Sequence, residues 1–222
     1  AHGGAGYASG PNYNMPWDLF DAAGRAAAAR AGYAHARKAL DLIDGATEWE
    51  AALIQALPAR HPQPDPLDPE AMKAWNANFA DAMRDVFAAH PESHEVRTVF
   101  AESLLNLTPW KMWDLRSGKP AASARTVEAQ TVLEEALEGD PSAMRHPGLL
   151  HLYVHLMEMS PFPEKALKAG DALRRLVPDA GHLIHMPTHI DILCGHYQNV
   201  VEWNEACLLY TSDAADDTLW GG

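Results

Sequence analysis

Two H-x-x-x-H segments lie 34 residues apart in this chain, and that spacing constrains its fold more than any other feature. His151 and His155 in HLYVH align at this offset with His185 and His189 in HMPTH. A random scatter of twelve histidines rarely produces such a coincidence. Self-similarity at a period of this length indicates a stacked repeat of one supersecondary unit.

The same offset aligns the segment PEKAL at 163–167 with YQNVV at 197–201, which indicates a second helix in each unit. GHYQNVVE, at 195–202, resembles the turn and second-helix start of a tetratricopeptide repeat, and Pro178 and Pro141 resemble its closing proline. HLYVH and GHLIHMPTH are also similar to segments found in bacterial tetratricopeptide-like proteins. The resemblance implies an all-α, right-handed α-solenoid of antiparallel helix pairs. It is strongest from residue 126 to residue 206 and looser before it, where insertions stretch the units.

Hydrophobic periodicity independently predicts an all-α chain, because helical patterns broken by Pro and Gly run almost throughout and no alternating β-branched run occurs. The longest predicted helix contains Gly24 and Gly32, which weaken it and can divide it into two. The predicted helices span 1–9, 17–43, 47–57, 69–89, 93–107, 126–137, 147–159, 163–176, 182–194 and 198–206, and a proline-rich loop is predicted at 61–66.

Histidines four residues apart share one face of a helix, so each H-x-x-x-H segment predicts a pair of neighbouring imidazoles. The resemblance implies that both pairs lie on first helices of adjacent units and face one concave groove. Four converging imidazoles suit a divalent transition metal such as Zn²⁺, Cu²⁺ or Fe²⁺. The predicted metal ligands are therefore His151, His155, His185 and His189.

Three further residues are candidates beside these ligands. His182 lies three residues before the second pair and is predicted to contact a ligand in the groove. Glu158 and Asp191 are candidates for a ligand, for a hydrogen-bond partner of a ligand, or for a general base. An alternative is that the histidines bind a peptide or are satisfied by backbone carbonyls. Pro187 predicts that its helix is kinked or begins at that residue.

Two aromatic loops resemble one another, since both NYNMPWDL and LTPWKMWDL carry Pro-Trp followed by Asp-Leu. One interpretation is an aromatic wall over the groove that shapes a small-molecule pocket. The favoured alternative is that the tryptophans fill gaps between repeat units. The candidate ligand-binding residues of these loops are Tyr13, Asn14, Trp17, Trp110 and Trp113.

The formal charge of −13 argues against a nucleic-acid partner, because acidic residues outnumber Lys and Arg by 30 to 17. No apolar stretch is long enough for a membrane span. A cytoplasmic location is favoured. The first residues resemble the interior of a helix, so an upstream signal peptide is also compatible with the sequence. No Gly-rich phosphate loop, G-x-S-x-G elbow or H-E-x-x-H motif is present.

The C-terminal segment CLLYTSDAADD does not follow the repeat pattern. One back-translation of it resembles the transposon-end adaptor used to prepare sequencing libraries. We therefore expect a helical repeat domain at 1–206, truncated at both ends, and a non-native tail at 207–222.

Two hypotheses of function follow. The first is a tetratricopeptide-like scaffold that binds a peptide, a partner protein or a small ligand in a groove lined by His and Trp. The second is a metalloprotein, either a hydrolase or an oxidase, that uses the paired histidines. Fold alone does not decide between them, so enzymatic activity stays open at this point.

Overall fold

The computed structural model describes residues 1–210, and over this range the chain is predominantly helical. This confirms the all-α class predicted from periodicity. The described chain divides into two compact units, the first formed by Ala1–Lys111 with Ser123–Arg125 and the second by Met112–Ala122 with residues 126–210. Within residues 1–210, no helix combines the length and apolarity needed to traverse a bilayer.

Five helices form the first unit, and side-chain caps determine where several of them begin. Thr47 and Glu50 form a capping box, with the Thr47 amide donating to the Glu50 carboxylate at 2.9 Å. Asp21 accepts the Gly24 amide at 2.6 Å and so starts the second helix five residues later than predicted. The helices are α1 His2–Ala8, α2 Ala22–Asp41, α3 Glu48–Arg60, α4 Pro69–Ala89 and α5 His94–Leu105.

Helices α2 and α3 both continue through residues that usually interrupt a helix. The longest predicted helix is not divided at Gly24 or Gly32, because α2 runs unbroken from Ala22 to Asp41. Helix α3 includes Pro58 and ends at Arg60, whereas the sequence predicted an end at Leu57. A proline inside a helix removes one backbone hydrogen bond and crowds the carbonyl four residues earlier, but Pro58 lies in the last turn of α3, where only two helical residues follow it.

The glycine at position 32 makes room for a buried histidine in the first unit. A Cβ at Gly32 would come within 2.6 Å of Nε2 of His61 and overlap the ring. His61 Nε2 lies 2.9 Å from the carbonyl oxygen of Gly6, so it donates to that oxygen. Burial, reinforced by the charge of Arg60, lowers the pKa of His61 to about 4. The ring is therefore neutral near pH 7, and it links α1, α2 and the end of α3.

The second unit consists of a short hairpin followed by six α-helices within the described residues. Its hairpin was not predicted, because strands of two residues leave no alternating pattern. Helix α7 contacts α8, α8 contacts both α9 and α10, and these two contact α11. The elements are β1 Trp113–Asp114, β2 Lys119–Pro120, α6 Thr126–Gly139, α7 Pro147–Met157, α8 Leu167–Leu176, α9 Gly181–His185, α10 Pro187–Leu193 and α11 Tyr197–Tyr210.

Proline divides the helix predicted at 182–194 into α9 and α10. The first ends at His185 and the second begins at Pro187, which confirms the prediction that this proline kinks or starts a helix. Pro187 packs against α8 at Gly170, where a Cβ would lie 3.1 Å from the proline Cβ. The predicted boundary between residues 206 and 207 falls inside α11, and residues 211–222 of the expected tail lie outside the described residues.

Candidate metal centre

Helix α7 presents two histidines on one face. His146 accepts the Leu149 amide at 3.3 Å through its Nδ1, and Pro147 occupies the first turn, so the helix start is well defined. His151 and His155 follow one and two turns later, with ring centroids 4.5 Å apart. The helix is otherwise apolar, and the His155 side chain is only 2% exposed.

The break before Pro187 positions a third imidazole beside this pair. His182 in α9 lies with its Nε2 3.1 Å from Nε2 of His151, and its ring centroid is 6.0 Å from that of His155. One ligand nitrogen from each of the three histidines lies within 4.8 Å of the other two. This triad, His151–His155–His182, is therefore a group that can hold a metal ion with modest side-chain movement.

The four predicted metal ligands do not meet at one point. His151 and His155 join His182, which was predicted only as a groove residue, while His185 and His189 form a separate pair with Nε2 atoms 3.0 Å apart. His182 lies in the first turn of α9, whereas His185 ends α9 and His189 lies in α10. Both H-x-x-x-H segments nevertheless give neighbouring imidazoles.

Glu158, just after α7, connects the triad to the second pair. Its Oε1 accepts a hydrogen bond from Nδ1 of His155 at 2.9 Å, and its Oε2 accepts one from Nδ1 of His189 at 2.6 Å. Burial alone would raise the pKa of this carboxyl, but the two histidine hydrogen bonds outweigh burial and lower it to about 2. Glu158 is therefore ionised, and both of its oxygens hold imidazoles. That geometry is typical of a carboxylate that orients metal ligands.

Asn204 holds the remaining imidazole, and sequence reasoning did not identify it. Its Oδ1 lies 2.6 Å from Nδ1 of His185, and its amide nitrogen donates to the Val200 carbonyl at 2.7 Å. The residue one repeat earlier is Gly170, so the 34-residue pattern offered no signal for it. Asn204 comes from α11, and only the packing of α11 against α9 brings the two residues together.

The buried position of His151 favours the form of its ring that binds metal. Burial, with the neighbouring His155 and His182, lowers the pKa of His151 well below its ordinary value. A neutral imidazole has a nitrogen lone pair, which is the form that ligates a transition metal. Three histidine ligands are also the number typical of a catalytic zinc site, in which a fourth position holds water.

Asp191, the other predicted carboxylate, lies in a buried ion pair. Its Oδ2 is 2.9 Å from Nη2 of Arg174, and both side chains are 1% exposed. The guanidinium also lies over the ring of Trp203, 5.2 Å from the centroid. Asp191 therefore supports the packing of α8, α10 and α11; its other oxygen lies 3.6 Å from Nδ1 of His196, which is not one of the predicted ligands.

The aromatic candidates divide between the two units. Tyr13, Asn14, Trp17 and Trp110 belong to the first unit, and Trp113 belongs to the second. Trp17 is buried at an edge-to-face contact with another tryptophan, with centroids 6.1 Å apart. Trp113 is buried and donates its indole N–H to the Leu156 carbonyl at 2.7 Å. Both tryptophans are therefore packed within their own units; whether they fill gaps between repeat units stays a prediction.

The other two rings form a contact of their own. Tyr13 is buried, and its ring meets that of half-buried Trp110 at a centroid distance of 5.9 Å. Trp110 has a φ of +56°, a left-handed conformation uncommon for a bulky residue. Asn14 is half-buried in the first loop, where its backbone N–H donates to the side-chain oxygen of Asn12 at 2.9 Å.

A cavity of about 510 Å³ lies in the first unit, lined by residues of α1, α3 and the 42–46 turn. None of the predicted site residues lines it. The cavity therefore adds nothing to the aromatic or histidine candidates.

Comparison with known proteins adds no family to this picture. No family model matches the chain, and no curated protein or solved structure is significantly similar to it.

Proposed function

We propose that this chain is a transition-metal-binding protein in which His151, His155 and His182 are the ligands. The observation that carries the proposal is the convergence of three imidazole ligand nitrogens within 4.8 Å. Imidazole nitrogen suits zinc, copper or iron, and each of these is consistent with three histidines. The Nδ1 of His155 donates to Glu158, so Nε2 is the nitrogen of this ring that would ligate the metal.

A three-histidine site supports hydrolytic or oxidative chemistry because it leaves a coordination position for water, dioxygen or substrate. A bound divalent metal lowers the pKa of its water and so generates a nucleophile near neutral pH. The residues of the chain supply the ligand set and its orientation. His151 and His182 meet at 3.1 Å, which corresponds to an angle of roughly 100° at an ion bonded about 2.05 Å from each nitrogen.

Metal analysis of purified variants tests the proposal. Protein stripped with a chelator is reconstituted separately with Zn²⁺, Cu²⁺ and Fe²⁺, desalted, and analysed for metal by elemental analysis. We expect stoichiometric metal in the wild type and loss of the triad's metal in His151→Ala/His182→Ala. His196→Ala is the matched control, because this histidine of the same unit is 47% exposed and lies outside the triad. Retention of the same metal content by the double variant would refute the assignment, provided that circular dichroism shows it folded.

The architecture we propose for the second unit is tetratricopeptide-like. Support comes from the 34-residue offset between the histidine pairs and from the order of helix contacts, in which α8 lies against both α7 and α10. In such an array, adjacent first helices lie side by side. Two contacts are consistent with that placement: α7 touches α10, and His151 lies within hydrogen-bond distance of His182.

A second candidate function is binding of a peptide or partner protein by this scaffold. The observation that favours it is a group of exposed apolar side chains near the α10–α11 turn, since clustered exposed apolar surface often marks an interaction site. Its members are more than half exposed: Ile192, Leu193, Tyr197 and Val201.

Peptide display tests this second candidate. A random peptide library is panned on the wild type and counter-selected on Tyr197→Glu/Val201→Glu. We expect peptides that bind the wild type and not the variant. Failure to enrich any peptide with that preference would eliminate this surface as the binding site.

A further inference from the structure

The hydrogen bonds around the second histidine pair determine where its ring protons lie. The amide nitrogen of Asn204 donates to the Val200 carbonyl, which can only accept, so the side-chain oxygen of Asn204 must face His185. An oxygen acceptor 2.6 Å from Nδ1 of His185 requires a proton on that nitrogen. The carboxylate of Glu158 imposes the same requirement on Nδ1 of His189, also at 2.6 Å.

With both Nδ1 atoms donating to these oxygens, the Nε2 atoms of the two rings are left facing each other. Nε2 of His185 and Nε2 of His189 are 3.0 Å apart. A contact between two imidazole nitrogens at this distance needs a cation between their lone pairs, either a metal ion or a proton. A metal ion bonded to both at about 2.05 Å would subtend an angle of roughly 95°, which is acceptable for four-coordinate to six-coordinate ions.

We infer that His185 and His189 form a second metal site, which Glu158 connects to the His151–His155–His182 triad. The inference rests on the proposed metal-binding function and extends it from one ion to two. One oxygen of Glu158 orients a ligand of the first site and the other orients a ligand of the second. The His189 side chain is 40% exposed, so water or a substrate can complete the coordination of the second ion.

The class of ligand follows from the donor set. Two imidazole nitrogens select a borderline transition metal such as Zn²⁺, Cu²⁺, Co²⁺ or Ni²⁺ over Mg²⁺ or Ca²⁺, which prefer oxygen. With only two protein ligands, the second site is expected to bind its ion more weakly than the triad and to exchange it faster. The triad should therefore fill first in a titration.

Titration of the chelator-stripped protein with Co²⁺, monitored by its visible absorption and by calorimetry, tests the inference. We expect two equivalents in the wild type, one in His185→Ala, which leaves both Glu158 contacts in place, and one in His182→Ala. His189→Ala provides a second test; because it also removes a hydrogen bond to Glu158, its folding is checked by circular dichroism. His196→Ala should bind two equivalents, as the wild type does.

The outcomes separate this inference from the proposed function. One equivalent in the wild type, unchanged in His185→Ala and His189→Ala, would overturn the second site and leave the triad intact. Two equivalents retained by both of these variants would also overturn it. No bound metal in the wild type would refute the proposed function itself, and the short Nε2 contact would then be assigned to a shared proton.

Discussion

Replacement of Glu158 by glutamine tests the central contact of the histidine cluster. The carboxylate accepts hydrogen bonds from His155 at 2.9 Å and from His189 at 2.6 Å. Glutamine has one acceptor oxygen, and its other terminal atom is a donor, so it can accept from only one of the two Nδ1–H groups. We expect the oxygen to remain with buried His155 and the 40% exposed His189 to turn toward water.

The size of the effect follows from the contacts that are lost. A hydrogen bond to a charged group contributes about 1.5–3 kcal/mol, and a neutral one about 1 kcal/mol. Glu158→Gln loses the charged bond to a partly exposed partner and weakens the bond to His155. We therefore expect a decrease of roughly 1.5–3 kcal/mol in the free energy of unfolding of the metal-free protein. Loss of an orienting carboxylate also lowers metal affinity about 10–100-fold.

Two measurements check both consequences of this substitution. Urea denaturation of chelator-stripped protein, monitored by circular dichroism at neutral pH, gives the change in stability. Competition with a chromophoric chelator gives the change in zinc affinity. Glu164→Gln is the control, because Glu164 is an exposed acid of the same unit. If Glu158→Gln behaves like this control in both measurements, the carboxylate does not position the imidazoles and the reasoning is refuted.

Three further predictions concern the first unit. Gly32→Ala should lose about 1–3 kcal/mol of stability in urea denaturation, because its Cβ would overlap the His61 ring, whereas Gly4→Ala, with open space around its Cβ, should not be destabilised. Burial and the charge of Arg60 lower the pKa of His61 to about 4 in the folded protein, so the unfolded state binds the proton more tightly. The stabilisation by neutral His61 should therefore decline as pH falls from about 6.5 to about 4. A smaller decline over this range in His61→Asn would support that assignment. Burial raises the pKa of Glu102 to about 7, so the stabilising effect of its neutral form should be lost as pH rises through that value. At alkaline pH, the free energy of unfolding of Glu102→Gln should therefore exceed that of the wild type by up to about 3 kcal/mol.

Periodicity in the sequence was sufficient to predict the helical class and most helix positions. Helix α4 spans the predicted residues 69–89, and its start is marked by Asp68 as cap and Pro69 in the first turn. The errors lie where tertiary packing overrides local propensity. Pro58 is tolerated inside α3, and Gly32 lies inside an unbroken α2 because a buried ring occupies the space beside it.

The candidate site was predictable only in part. The H-x-x-x-H pattern identifies neighbouring imidazoles, because spacing along a helix determines which side chains share a face. It does not show that His182 completes the triad, since that contact depends on where α9 ends and how it packs against α7. Asn204 was beyond prediction for the same reason, because its role is created by a contact between two helices.

The hydrogen bonds of the two predicted carboxylates restrict the chemistry that this cluster can perform. A general base needs an oxygen with a lone pair directed at substrate or water. Both oxygens of Glu158 accept imidazole N–H groups, and its pKa of about 2 makes it a weak proton acceptor near pH 7. Asp191 faces the guanidinium of Arg174 in a buried ion pair. If the proposed metal binding is right, hydrolytic activity should therefore depend on metal-activated water: it should be absent from chelator-stripped protein and appear on reconstitution with metal.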